Sequence, residues 1–170
     1  NQRKRVVRLW ILVAVALRFL RNANLRAFSV ETLRYGPEAL QVGDLLRPEG
    51  SEHYRGAVML IHGGFWRSVY TRDLMARIAR DLVQQGLAVW NVEYRSVGSG
   101  GGYPQTLQDV SRAFDWMTGG DAAERGLRGT PVAVMGHSAG GHLACWLGLR
   151  ACLPTKPGRL GPQAGLRPRA

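Results

Sequence analysis

A chain of 170 residues is long enough for one domain with a sizeable core, and a composition that is 45% apolar suits a globular protein. The net charge of +11 first suggests nucleic acid or an anionic membrane, but residues 1–26 hold seven basic and no acidic side chains, and residues 139–170 hold five and none. The middle, 27–138, has 11 basic against 12 acidic residues, so the basicity belongs to the ends and a nucleic-acid partner is not expected.

In chain order, Arg3-Lys4-Arg5 precedes nine unbroken apolar residues, Leu9 to Leu17, in the manner of a secretory signal. That run is far short of the roughly 20 residues of a bilayer span, and positive charge continues at Arg18, Arg21 and Arg26. Three readings stay open for residues 1–27: a packing helix or extension, a basic amphipathic segment touching a membrane, or a signal or anchor. The first is expected, and with it a cytoplasmic location. The chain begins with Asn, so its true start can lie elsewhere.

Phe28–Leu33 and Ala39–Leu46 read as two strands around a Tyr35-Gly36-Pro37 turn, closed by Arg47-Pro48-Glu49-Gly50. Ala57–Ile61 is a short continuous apolar run, the pattern of a strand buried on both faces of a parallel sheet. Thr71–Gln85 carries Leu74, Ile78, Leu82 and Val83 at helical spacing and stops at Gly86, so an amphipathic helix is expected there. Leu87–Val92 is the next buried strand. Gln105–Met117 is the next helix, with Pro104 at its first turn and Leu107, Val110, Phe114 and Met117 on one face. Val132–Met135 is the last strand. Strands alternating with helices predict an α/β domain over residues 28–152, built on a mostly parallel sheet with an antiparallel N-terminal hairpin. Residues 153–170 lose all periodicity to Pro, Gly and Arg and are expected to be a disordered tail. If the sheet ends at Val132–Met135, that strand is an exposed edge that invites aggregation.

Gly136-His137-Ser138-Ala139-Gly140 fits G-x-S-x-G, in which a sharp strand-to-helix turn lifts a nucleophilic serine, here Ser138, above the sheet. The turn brings strand and helix backbones together, and Gly136, Gly140 and Gly141 supply the space. His62-Gly63-Gly64-Phe65-Trp66 follows an earlier apolar run, where such proteins keep the second half of an oxyanion hole. The donors expected are the backbone N–H groups of Ala139, Gly64 and Phe65. His62 and Gly63 are expected to support the loop rather than to act on substrate.

No acidic residue follows Ser138 and the only later histidine, His142, lies about one helical turn away, so a triad acid and base are expected to be missing from this chain. His137 and His142 read as structural or pocket-lining, and Trp66 as either packing or a pocket wall. Asp109 reads as structural, favoured by the dipole near a helix start. Gly98-Ser99-Gly100-Gly101-Gly102 lacks the third glycine of G-x-G-x-x-G and any Gly-Lys-Ser/Thr, so it reads as a flexible rim loop rather than a phosphate cradle. Cys145 and Cys152 have no partner cluster and read as buried or idle thiols, and no metal site is expected.

The HGG loop, Tyr103-Pro104 with Asp109 downstream, and Gly136 to Ala144 together resemble the α/β-hydrolase superfamily, and most closely its kynurenine formamidase-like members and the feruloyl and acetyl-xylan esterase-like group. The resemblance covers about residues 30–152. It implies an α/β-hydrolase fold cut after about the fifth strand and the nucleophile helix, with cofactor-free hydrolysis of small-molecule carboxylic esters or amides through an acyl-enzyme on Ser138. A catalytically inactive module of the same fold, which binds a ligand or partner, is the alternative.

Overall fold

The computed structural model describes residues 26–51 and 54–150. The expectations for the N-terminal segment, the C-terminal tail and Cys152 therefore lie outside the described residues. Among the described residues no helix is long and apolar enough to cross a membrane.

Five strands form one sheet: β1 (Phe28–Arg34), β2 (Val42–Pro48), β3 (Ala57–Ile61), β4 (Ala88–Val92) and β5 (Val132–Gly136), in the spatial order β1-β2-β4-β3-β5. The hairpin pair β1 and β2 is antiparallel, β2 meets β4 antiparallel, and β4, β3 and β5 run parallel. The second strand begins at Val42, three residues later than its apolar pattern suggested. Tyr35 N–H donates to Gln41 C=O at 2.9 Å, so residues 36–41 are spent on the turn and Ala39 and Leu40 belong to it.

The parallel register sorts the side chains by parity. Ala57, Met59 and Ile61 of β3 and Ala88, Trp90 and Val92 of β4 face one core, sealed by α2 (Gln105–Thr118) and α3 (Ala139–Arg150). Val58 and Leu60 of β3 and Val89 of β4 face the other, covered by α1 (Ala76–Gln84) through Ala79 and Val83. Each fully buried Leu, Ile or Met contributes about 1.5–3 kcal/mol, so the continuous apolar runs of β3 and β4 carry much of the stability. Trp90 fills the larger core. It stacks on Trp116 at 4.3 Å between centroids, and a Cβ on Gly43 would lie 2.7 Å from its ring.

The helix expected over Thr71–Gln85 is divided. Thr71 caps a 3-10 turn, Arg72–Met75, by accepting from Asp73 N–H, and the regular helix begins only at Ala76. Arg72 gives the reason: its guanidinium forks onto Asp44 of β2, Nε to Oδ2 at 2.7 Å and an Nη2 contact to Oδ1 at 3.2 Å. This pair holds the tight turn down on the sheet and keeps the Arg72 side chain charged, its pKa raised by the Asp44 hydrogen bond. A further helical segment, Gly120–Ala122 running into Ala123–Leu127, joins α2 to β5 and was not expected from the sequence.

Candidate active site

The carboxyl ends of the parallel strands bring together the two glycine motifs, as the topology of α/β sheets leads one to expect. The register pairs Ile61 with Gly136, and His137 N–H donates to Ile61 C=O at 3.2 Å, so His62 to Gly64 and His137 to Gly140 leave the sheet side by side. Ser138 has φ of 52°, a left-handed conformation that a side chain adopts only where the surroundings enforce it, and it is exposed. Glycines make the enforcement possible. A methyl group on Gly140 would overlap the carbonyl oxygen of Ile61, and one on Gly63 would lie 2.7 Å from His137 O and 3.1 Å from Ser138 Cβ. Gly63 is therefore packed directly against the serine.

After Gly64 the chain turns tightly. Arg67 N–H donates to Gly64 C=O at 3.0 Å, across Phe65 and Trp66 at φ of 54° and 55°. Two consecutive non-glycine residues in this region are costly, roughly 1–2 kcal/mol each, and outside contacts hold them there. Trp66 meets the His142 ring edge to face at 5.5 Å, which joins the loop to α3. Ser68 N–H donates to Val97 C=O at 3.0 Å and Val97 N–H to Trp66 C=O at 2.7 Å, which joins it to the loop after β4. Trp66 thus packs between the loop and α3 while staying partly open to solvent. Among the described residues, the N–H groups of Gly64, Phe65 and Ala139 have no hydrogen-bond acceptor.

His62 is buried and both ring nitrogens are engaged, Nδ1 with Gly63 O at 2.7 Å and Nε2 with Glu93 Oε1 at 2.9 Å. Its ring stacks on Tyr94 at 4.3 Å, and Tyr94 Oη donates to the His62 carbonyl at 2.9 Å. Glu93 is buried as well, with Oε2 accepting Arg72 N–H at 2.9 Å and Oε1 accepting Tyr94 N–H at 3.1 Å. Burial acts to raise the Glu93 carboxyl, but the hydrogen bonds from His62, Arg72 and Tyr94 outweigh it and hold the group below the usual carboxylate range. Burial and the neighbouring Glu93 charge push the Tyr94 phenol upward. Sequence reasoning passed over Glu93, Tyr94 and Arg72. The signal was a charged residue immediately after the wholly apolar-looking run of β4, at the strand end where α/β proteins place their chemistry.

Asp109 is structural, but not for the reason expected. It lies in the interior of α2, not at the helix dipole's positive end, and is wholly buried. Its carboxylate accepts from Arg95 N–H, Nε and Nη2 at 3.0, 2.9 and 2.7 Å and from Gln41 Nε2 at 2.6 Å. Residues Gly98 to Gly102 form a self-tied loop: Ser99 and Gly101 N–H donate to Ser96 C=O at 2.9 and 3.0 Å, and Gly102 N–H to Thr106 Oγ1 at 3.0 Å. Cys145 is an exposed free thiol and so is not a core residue. His137 and His142 are both exposed. Among the described residues, His62 with Glu93 is the only histidine–carboxylate contact, and no cluster of His, Cys, Asp or Glu is placed to hold a metal ion.

Solved structures are similar to this fold. Esterase B from Lactobacillus rhamnosis superposes with a TM-score of 0.62 at 28% identity, over 87% of this chain and 48% of its own. A bacterial heroin esterase gives 0.65 at 26% identity, over 83% and 45%, and a thermostable esterase from Pseudomonas putida 0.59 at 26%, over 76% and 40%. The chain thus spans about half the length of the structures it matches, and within that half it has the α/β-hydrolase fold. No curated protein matches the chain. A family model described as BD-FAE matches residues 44–156, the greater part of the sequence, and the chain belongs to that family.

Proposed function

We propose that Ser138 is the nucleophile of a serine hydrolase that cleaves carboxylic esters or small amides through an acyl-enzyme. In this reading the Ser138 oxygen bonds to the carbonyl carbon, and the carbonyl oxygen that becomes negative is received by the N–H groups of Ala139, Gly64 and Phe65. The bond to the alcohol or amine then breaks, that group leaves with the serine proton, and water releases the acid from Ser138. The observation that carries it is the exposed Ser138 at φ 52°, with Gly63 so close that a Cβ on it would lie 3.1 Å from that of the serine. The esterases among the matched structures support the ester class, and the resemblance of the two glycine motifs to those of formamidase-like enzymes extends the reading to small amides. Each preorganised donor of this kind is worth about 3–4 kcal/mol at the transition state.

Incubation with a fluorophosphonate probe, followed by peptide mass mapping, tests this. In the complete protein the label is expected on Ser138 and is expected to vanish in Ser138→Ala; a folded, complete protein that takes up no label on Ser138 refutes the assignment. One observation favours a second reading, a hydrolase-fold module without turnover: both ring nitrogens of His62 are already occupied, and no other described histidine is paired with a carboxylate. Steady hydrolysis of p-nitrophenyl acetate, lost in Ser138→Ala, decides for the enzyme over the module.

A further inference from the structure

Glu93 carries a charge into the interior one side chain away from the loop that faces Ser138. The Gly63 carbonyl and the Gly64 N–H belong to a single peptide group, which is trans, so the two point in opposite directions. His62 Nδ1 lies 2.7 Å from the Gly63 oxygen, and a carbonyl oxygen can only accept, so Nδ1 carries a hydrogen. By drawing that oxygen toward a buried ring, His62 turns the Gly64 N–H the other way, out of the interior.

What keeps the ring in this state is on its far side. Nε2 faces Glu93 Oε1 at 2.9 Å, and the carboxylate already receives backbone hydrogens on both oxygens, from Tyr94 N–H and Arg72 N–H. A carboxylate so supplied favours its ionised form and accepts from Nε2–H as well. Without it the Nε2 side of the ring has no anchor, and the ring is no longer held in the orientation that aims Nδ1–H at the Gly63 oxygen.

We propose that Glu93 is a positioning residue for the oxyanion donors: through His62 it fixes the Gly63–Gly64 peptide so that the Gly64 N–H faces the group bound at Ser138. Arg72 belongs to the same device, since its N–H ties the 3-10 turn that follows the loop to the same carboxylate. The proposal rests on the reading of Ser138 as nucleophile and Gly64 N–H as donor.

The test compares the full chain with Glu93→Ala, Glu93→Gln and Tyr35→Phe. The rate of Ser138 modification by a fluorophosphonate is resolved into a limiting rate and a half-saturation concentration. Tyr35 Oη donates to the backbone carbonyl of Glu93 at 2.6 Å and does not touch its carboxylate, so Tyr35→Phe reports loss of stability alone. Expected are a limiting rate about a hundredfold lower in Glu93→Ala, about tenfold lower in Glu93→Gln, an unchanged half-saturation in both, and a near-normal rate in Tyr35→Phe. Should Glu93→Ala fail to fold, the near-isosteric Glu93→Gln carries the comparison. Normal limiting rates in the Glu93 variants overturn the proposal while leaving Ser138 as nucleophile. If the unmodified chain itself takes no label, the nucleophile reading fails and the clamp is judged by the His62 ring hydrogens in spectra of histidine-labelled protein. Loss of the Nδ1–H resonance in Glu93→Ala then supports the clamp, and its persistence overturns it.

Discussion

At the scale of single residues, the site depends as much on side chains that are absent as on those present. Gly140 is the clearest case, because a methyl group there would run into the backbone oxygen of Ile61, which cannot swing aside as a flexible side chain would. Gly140→Ala is expected to destabilise the chain by about 1–3 kcal/mol, read as a lower urea midpoint, and to slow labelling of Ser138 by pushing β5 and its turn away from β3. An unchanged midpoint would mean that the two backbones have room to separate. The motifs at Ser138 and Gly64 were legible in the sequence because a close backbone approach leaves glycine as its mark. Glu93 was not, since a lone glutamate after a strand looks like a solvated strand end until its partners are known.

Elements are held together here by buried charges as well as by apolar faces. Asp109 joins α2 to the segment after β4, through Arg95, and to the hairpin turn, through Gln41, and the Asp109 hydrogen bond raises the pKa of the Arg95 guanidinium. Asp109→Ala would leave Arg95 and Gln41 without their acceptor, and a loss of about 3–5 kcal/mol is expected in chemical unfolding. A loss below 1 kcal/mol would show that water replaces the carboxylate at little cost. The five strands, α2 and most of α1 were readable from apolar periodicity, which reports what each segment buries, and α3 from the serine motif that precedes it. The break at Arg72–Met75 was not, because it is set by Asp44, distant in sequence, and the late start of β2 was not, because the Tyr35–Gln41 hydrogen bond draws the apolar Ala39 and Leu40 into the turn. Asp109 was placed correctly on a helix, but its role depends on Arg95, which no local pattern connects to it.

At the scale of the whole molecule, the described residues cover the two faces of the sheet unevenly. Two helices pack on the Trp90 side and one on the side of Val58 and Leu60, where Met135 of β5 remains 44% exposed. Among the described residues β5 is also the outermost parallel strand, with one edge unpaired. The isolated chain is expected to self-associate as its concentration rises, and Met135→Lys to increase the monomeric fraction in a dilution series followed by light scattering. Scattering that is independent of concentration in the unmodified chain would remove this expectation. The position of β5 also orders events in time. Among the described residues Ser138 follows β5, the last of the five strands, while Gly63 and Gly64 follow the interior β3, so the two glycine motifs come together only when β5 docks on β3.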